Sequence, residues 1–152
     1  MVDAKNLRKR YGLFYYKDVP FTGEVTGTIQ GSVRDGNKHG PWVTYWHDET
    51  VSPRIVKTQG TYENGKEQGQ YFYYNLNGNL LIEGTYKDGK KDGSWVIYDS
   101  RGKRNTIETH KDGALVSRHL SAYAKRKDEE EMKRMRDHLR NVFGTDGRGG
   151  TN

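Results

Sequence analysis

Apolar and aromatic residues come in short runs through residues 11–115, and glycines cut those runs at regular intervals. Residues 60–113 read GTYENGKEQGQYFYYNLNGNLLIE, then GTYKDGKKDGSWVIYDSRGKRNTIE, then THKDG. A step of 24 residues takes Gly60 to Gly84, Tyr62 to Tyr86 and on to His110, Gly65 to Gly89 and Gly113, and Gly69 to Gly93. A fixed period of this size marks a repeat architecture in which each unit is one supersecondary element. The runs Thr61, Tyr62, Glu63 and Tyr71, Phe72, Tyr73, Tyr74 are aromatic and β-branched, and Asn64-Gly65 lies between them. Asn-Gly or Asp-Gly in that setting predicts a β-hairpin, because both turn residues must reach positive φ. The unit is therefore a hairpin with structural turn glycines at Gly36, Gly65, Gly89 and Gly113. A second turn at Asn77-Gly78 returns the chain to the next unit. Gly69 and Gly93, just before the second strand, suit a bulge or a close backbone approach.

The same pattern reaches further upstream. Residues 31–45, GSVRDGNKHGPWVTY, form a full unit, and residues 16–25, YKDVPFTGEV, align without a gap on residues 86–95, YKDGKKDGSW. That first unit is degenerate, with Val19-Pro20 where the turn glycine belongs, as expected of a terminal cap. The return segment 46–55 carries five extra residues and Pro53, which makes it a loop; insertions in repeats fall on one face, often the binding face. Alternation puts Trp42, Trp46, Tyr71, Tyr73, Trp95 and Ile97 on one face, and Val43, Tyr45, Phe72, Tyr74, Val96 and Tyr98 on the other. Both faces are aromatic, so alternation alone leaves open which one is buried. Trp46 and Tyr73 are the rings singled out as candidate partner contacts.

Around Ser121 the period changes from 2 to 3.6. Met132, Met135, Leu139, Val142 and Phe143 fall on one stripe, which predicts an amphipathic helix over residues 121–143 stopped by Gly144. The run Asp128, Glu129, Glu130, Glu131 precedes Lys133, Arg134, Arg136 and Arg140, an order suited to the helix macrodipole. Such a stripe needs cover, from the last repeat, from self-association or from a partner. The chain thus divides into a basic N-terminal arm (1–10), a repeat domain (11–116), a C-terminal helical segment (117–143) and a flexible Gly-rich tail (144–152).

Composition narrows the function. The hydrophobic share of 32% is too low for a thick two-layer core, so a single elongated sheet fits better, with aromatic rings supplying the burial. There is no cysteine, hence no disulfide framework. The first residues carry no apolar run behind the basic cluster, so neither a signal peptide nor a spanning segment is expected, and an intracellular or virion location follows. The net charge of +6 is compatible with an anionic lipid or nucleic acid, but it also serves solubility. The five histidines have no metal-ligand spacing, and no phosphate loop or nucleophile–base set stands out. No cofactor, metal or catalytic residue is expected.

The pattern G-x-Y-x-N/D-G-x-x-x-G-x-W/Y-x-x-Y, followed by N-G or R-G, resembles the MORN repeat, in the variant of bacterial YwqK-type antitoxin proteins. The opening Tyr11-Gly12-Leu13-Phe14-Tyr15-Tyr16-Lys17, with Pro20-Phe21-Thr22-Gly23, resembles the start of that family. The resemblance implies a mainly β fold: an elongated single-layer antiparallel β-meander of hairpins, here with a C-terminal helix. It also implies function by protein binding, since such repeats serve as scaffolds and binding surfaces. Two readings follow: a structural or adaptor subunit of a large assembly such as a phage virion, or an antitoxin that neutralises a toxin by direct binding. Members of that family often look exported, and this chain departs from them in that respect.

Overall fold

A computed structural model describes residues 1–47, 50 and 52–144. The Gly-rich tail at 145–152 and three positions of the inserted return loop lie outside the described residues.

The N-terminal part begins with β1 (Val2–Asp3), a short 3-10 turn (Ala4–Asn6), β2 (Arg8–Arg10), β3 (Leu13–Tyr16) and β4 (Val19–Pro20). The next strands are β5 (Gly23–Thr26), β6 (Ile29–Arg34), β7 (Asn37–Tyr45), β8 (Val56–Glu63) and β9 (Lys66–Glu67). Then follow β10 (Gly69–Tyr74), β11 (Leu80–Lys87), β12 (Lys90–Tyr98), β13 (Arg104–Lys111) and β14 (Ala114–Leu120). The helix α1 (Ala122–Phe143) closes the described chain. One long sheet runs in the order β1-β5-β6-β7-β8-β10-β11-β12-β13-β14, with β9 paired to β8, and β2-β3-β4 form a small separate sheet. The fold is mainly β with one C-terminal helix, and from β5 onward every pair in the long sheet is antiparallel.

The hairpin turns follow from their residues. Asp35, Asn64, Asp88 and Asp112 have φ between 47° and 51°, and the glycines after them lie between 77° and 84°. Two successive positive-φ residues make type I′ turns, which match the twist of the flanking strands. These turns stack: the amide N–H groups of Gly65, Gly89 and Gly113 each donate, at 2.9 Å, to the carbonyls of Lys38, Glu67 and Lys91 in the unit before. The return turn at Gly78 is different. Gly78 has φ 79° and donates to the Asn75 carbonyl, while Asn75 Oδ1 accepts from the amides of Asn77 and Asn79. Asp99 repeats that arrangement before Gly102.

Glycines also decide which face is packed. Trp95 is 2% exposed and Trp42 3%, so the face carrying the tryptophans is the buried one. Each indole folds over the preceding strand. A Cβ placed on Gly84 would lie 2.2 Å from the Trp95 ring, and one on Gly31 would lie 2.4 Å from Trp42. The indole N–H groups donate to the carbonyls just past those glycines, Trp95 to Thr85 and Trp42 to Ser32, both at 3.1 Å. Gly93 and Gly40, two residues before the indoles, have φ 73° and 70°, and the pairing register shifts opposite them. The bulge re-aims the ring onto the glycine.

The N-terminus departs from the sequence reading in three ways. The basic arm is part of the sheets rather than a separate segment: β1 pairs parallel with β5, Val2 opposite Val25, and β2 pairs with β3. The parallel edge pair makes the long sheet mixed rather than purely antiparallel. The turn of the degenerate unit lies at Lys17 and Asp18, with φ 50° and 63°, one residue earlier than the gap-free alignment places it. Finally, the sheet is not a single layer throughout. Phe14 and Phe21 pack with Val25, Val33 and Trp42 in a buried cluster, Phe14 stacking on Trp42 at 6.0 Å. The small sheet thus covers the first indole. At the other end β14 reaches Leu120, so residues 117–120 belong to the sheet and not to the helical segment.

Gly84 and Gly60 occupy the same repeat position, but a Cβ at Gly60 would make only ordinary contacts, with the Tyr71 ring at 3.4 Å and the Gln70 carbonyl at 3.9 Å. Gly84→Ala is therefore expected to destabilise by about 2–3 kcal/mol through overpacking, and Gly60→Ala to stay within about 1 kcal/mol of the parent. Denaturant unfolding of the two variants checks this; equal losses would refute the ring-over-glycine account.

Candidate functional site

The ring face forms a spine closed at both ends. From Tyr71 it passes to Trp95 at 5.9 Å and to Tyr86 at 5.5 Å, Tyr86 meets Trp95 edge-on at 4.9 Å, and Trp95 meets His110 at 6.3 Å. Lys38 and Lys91 each hold an ammonium 4.4 Å above Trp42 and Trp95. Burial, with Lys9 nearby, lowers the pKa of Lys38. Burial and then Glu67 push the Tyr62 phenol up to about 12. Where the middle unit has Tyr71 instead of tryptophan, a cavity of about 20 Å³ remains between Tyr62, Tyr71, Tyr86 and Gly60. That is room for roughly one water, not a ligand.

The last unit ends the spine with charge. Glu108 stands at the repeat position of Gly84 and is 6% exposed. His110 Nε2–H donates to its carboxylate at 2.9 Å, and Arg118, directly opposite on β14, donates from Nε at 2.9 Å and Nη2 at 2.6 Å. These bonds, His110 first, hold the Glu108 carboxyl below the usual glutamate range against the effect of burial. The sequence contained a signal for this cap, since glutamate replaces glycine where no further indole arrives.

Trp46 and Tyr73 come together, edge to face at 6.1 Å, with Trp46 Nε1–H donating to the Tyr74 carbonyl at 3.0 Å and Lys57 lying 4.5 Å above the indole. Both are half-buried against each other, so they form one small patch. Arg54 of the inserted loop stacks on Tyr45 at 3.6 Å and reaches the Gly27 carbonyl.

The helical stripe lies elsewhere. Ser121 anchors the start of α1: its amide donates to the Asn105 carbonyl at 2.9 Å, its hydroxyl donates to the Arg104 carbonyl, and that oxygen accepts from the Ala124 amide at 3.1 Å. This N-cap, the buried Ala124 and the half-buried Tyr123, whose hydroxyl donates to the Asp99 carboxylate, hold the root of the helix on the sheet. From Lys125 onward every described helical residue is exposed. Met132, Met135, Leu139, Val142 and Phe143 are between 47% and 74% exposed, so the last repeat does not cover the stripe. The 22 residues extend about 33 Å. The first turn holds no acid; Lys125, Arg126 and Lys127 precede the acidic run, so only the basic last turn suits the dipole. Sequence reasoning did not single out the edge strand β14, whose Leu115, Val116 and Leu120 are also exposed.

Among the described residues no cluster of three or more His, Asp or Glu side chains could hold a metal ion, and no helix is long and apolar enough to cross a membrane. No protein-family model and no curated protein matches the sequence. Among solved structures, the chain is similar to one in the crystal structure of the GtfA/B complex bound to UDP and GlcNAc, at 18% identity and a TM-score of 0.39. The match covers 86% of this chain and 32% of that one. The chain therefore spans about a third of the length of the chain it matches, and so weak a likeness carries no functional argument.

Because the native pKa of Glu108 is lowered, its ionised form stabilises the fold. That contribution is complete above the ordinary glutamate value of about 4.3 and is lost as pH falls from there through the lowered native value. The melting temperature is expected to fall between about pH 5 and pH 3, and to fall less in Glu108→Gln. Parallel pH profiles for the two proteins would count against the cap.

Proposed function

We propose that the chain is a non-enzymatic protein-interaction subunit. The repeat sheet serves as a rigid platform and α1 as a docking arm within a large assembly such as a virion. The observation that supports it is the helix: an apolar stripe of five large residues stands exposed on an arm that touches its own sheet only at the root. Exposed apolar surface of that kind marks an interaction site. The resemblance of the repeats to MORN units agrees, since a repeat sheet offers a broad, preorganised surface at low entropic cost. The small Trp46–Tyr73 patch is a second candidate contact. The YwqK-like opening favours one other reading, an antitoxin binding a single toxic protein. A surface binder of anionic lipid or nucleic acid rests on the net charge alone.

Purification from the native source with the full chain and with a chain ending at Leu120 tests the proposal, at low and high salt. The full chain should keep its protein partners at high salt, because apolar contacts resist screening. The shortened chain should keep the near-ultraviolet signal of its packed rings and lose those partners. Retention of the same partners without the helix contradicts the docking role. Binding only to anionic liposomes or nucleic acid, lost on adding salt, contradicts the subunit reading. A stable one-to-one complex with one small toxic protein selects the antitoxin.

A further inference from the structure

The stripe on α1 has the spacing of a coiled-coil seam rather than of a helix laid on a sheet. Met132, Met135, Leu139 and Val142 are separated by three, four and three residues, the alternation of a and d positions in a heptad. In that register Glu131 takes g and Arg136 takes e. Neither has an ion-pair partner in its own chain among the described residues. In a parallel coiled coil, g of one helix faces the e position five residues further along its neighbour, and Glu131 and Arg136 are five apart.

Resting on the interaction-subunit reading, we propose that the occupant of the stripe is α1 of another copy of this chain, paired in parallel and in register. The seam then buries Met132, Met135, Leu139 and Val142, and each Glu131 meets Arg136 of the next copy. Antiparallel pairing of the same seam would set residue 142 opposite 132 and bring Arg136 against Arg136 of the other copy, a like-charge contact. The geometry at the root agrees. Residues 122–131 carry no large aliphatic side chain and extend about 15 Å from the sheet edge, so two parallel arms can pair at their distal halves while their sheets stand apart. Leu at a and Val at d is not the β-branched-a, Leu-d pattern of two-stranded coils, so the number of copies is read by sedimentation rather than assumed.

Sedimentation equilibrium of the full chain at roughly 100 µM, which reveals complexes of micromolar Kd, should show reversible self-association. Leu139→Glu should abolish it, Glu131→Arg should weaken it tenfold or more, and the double exchange Glu131→Arg with Arg136→Glu should restore it. The chain has no cysteine, so Val142→Cys reports orientation directly: mild oxidation should join two copies through residue 142. Self-association without that cross-link, or a double exchange that fails to restore it, overturns the parallel pairing. A chain monomeric at this concentration overturns the proposal altogether. If that monomer still loses its protein partners on truncation after Leu120, the interaction-subunit reading stands without it.

Discussion

An indole lying flat on a bare stretch of backbone is the contact on which the rest of the sheet depends. Trp95 can reach 2% exposure in a nearly one-layer protein only because Gly84 presents no side chain beneath it. Tyr86 and His110, which flank the ring, are then fixed edge-on to it. The indole N–H satisfies itself on the carbonyl next to the glycine, so burying the ring leaves no unpaired donor. A chain with so few aliphatic residues needs this economy, because each buried aromatic removes ~150–250 Å² from water. A spine of rings must also end somewhere. At one end Phe14 and the small β2–β4 sheet lie over Trp42. At the other a carboxylate takes the glycine's place and accepts hydrogen bonds from His110 and Arg118.

Much of this was legible in the chain, and the reasons are local. Asp88-Gly89 and its equivalents specify their turns because few other pairs accept two positive φ values. The helix could be read from its stripe and from Gly144, since a C-terminal glycine stop and a 3.6-residue period are both short-range signals. The buried face was not read, because both faces are aromatic. The deciding signal lay across the hairpin, in the glycines Gly31 and Gly84 that stand beneath Trp42 and Trp95 on the preceding strands. The parallel pairing of Val2 with Val25 left no trace in a two-residue strand, since non-local pairing has no periodicity to announce it. The turn at Lys17 and Asp18 is hidden because residues 16–25 match residues 86–95 without a gap, which points to Asp18 and Val19 instead. Among the candidate site residues, the helical stripe could be named from sequence, but its separation from the sheet could not. Only the packing shows that the hold of α1 ends near Ala124.

That separation divides the molecule into two physical regimes. The sheet satisfies itself through stacked turns, ring-on-ring contacts and capped ends. The helix satisfies its backbone but not its apolar face, and an isolated helix of this length gains little stability from propensity alone. The ordered platform and the uncovered arm complement each other: the first holds the root of the second in a fixed direction through Ser121. Binding on such an arm incurs less ordering cost than binding on a loose segment.

The claim that the glycine-seated indoles hold the array together is tested most directly by hydrogen exchange at the three tryptophan indole N–H groups. Trp42 and Trp95 should exchange only with global unfolding of the sheet, at the rate of the slowest strand amides. The half-buried Trp46, bonded at the mouth of the inserted loop, should exchange faster through local opening. Exchange of Trp95 as fast as Trp46, while the strand amides stay protected, would contradict the account, because the sheet would then persist without its rings in place.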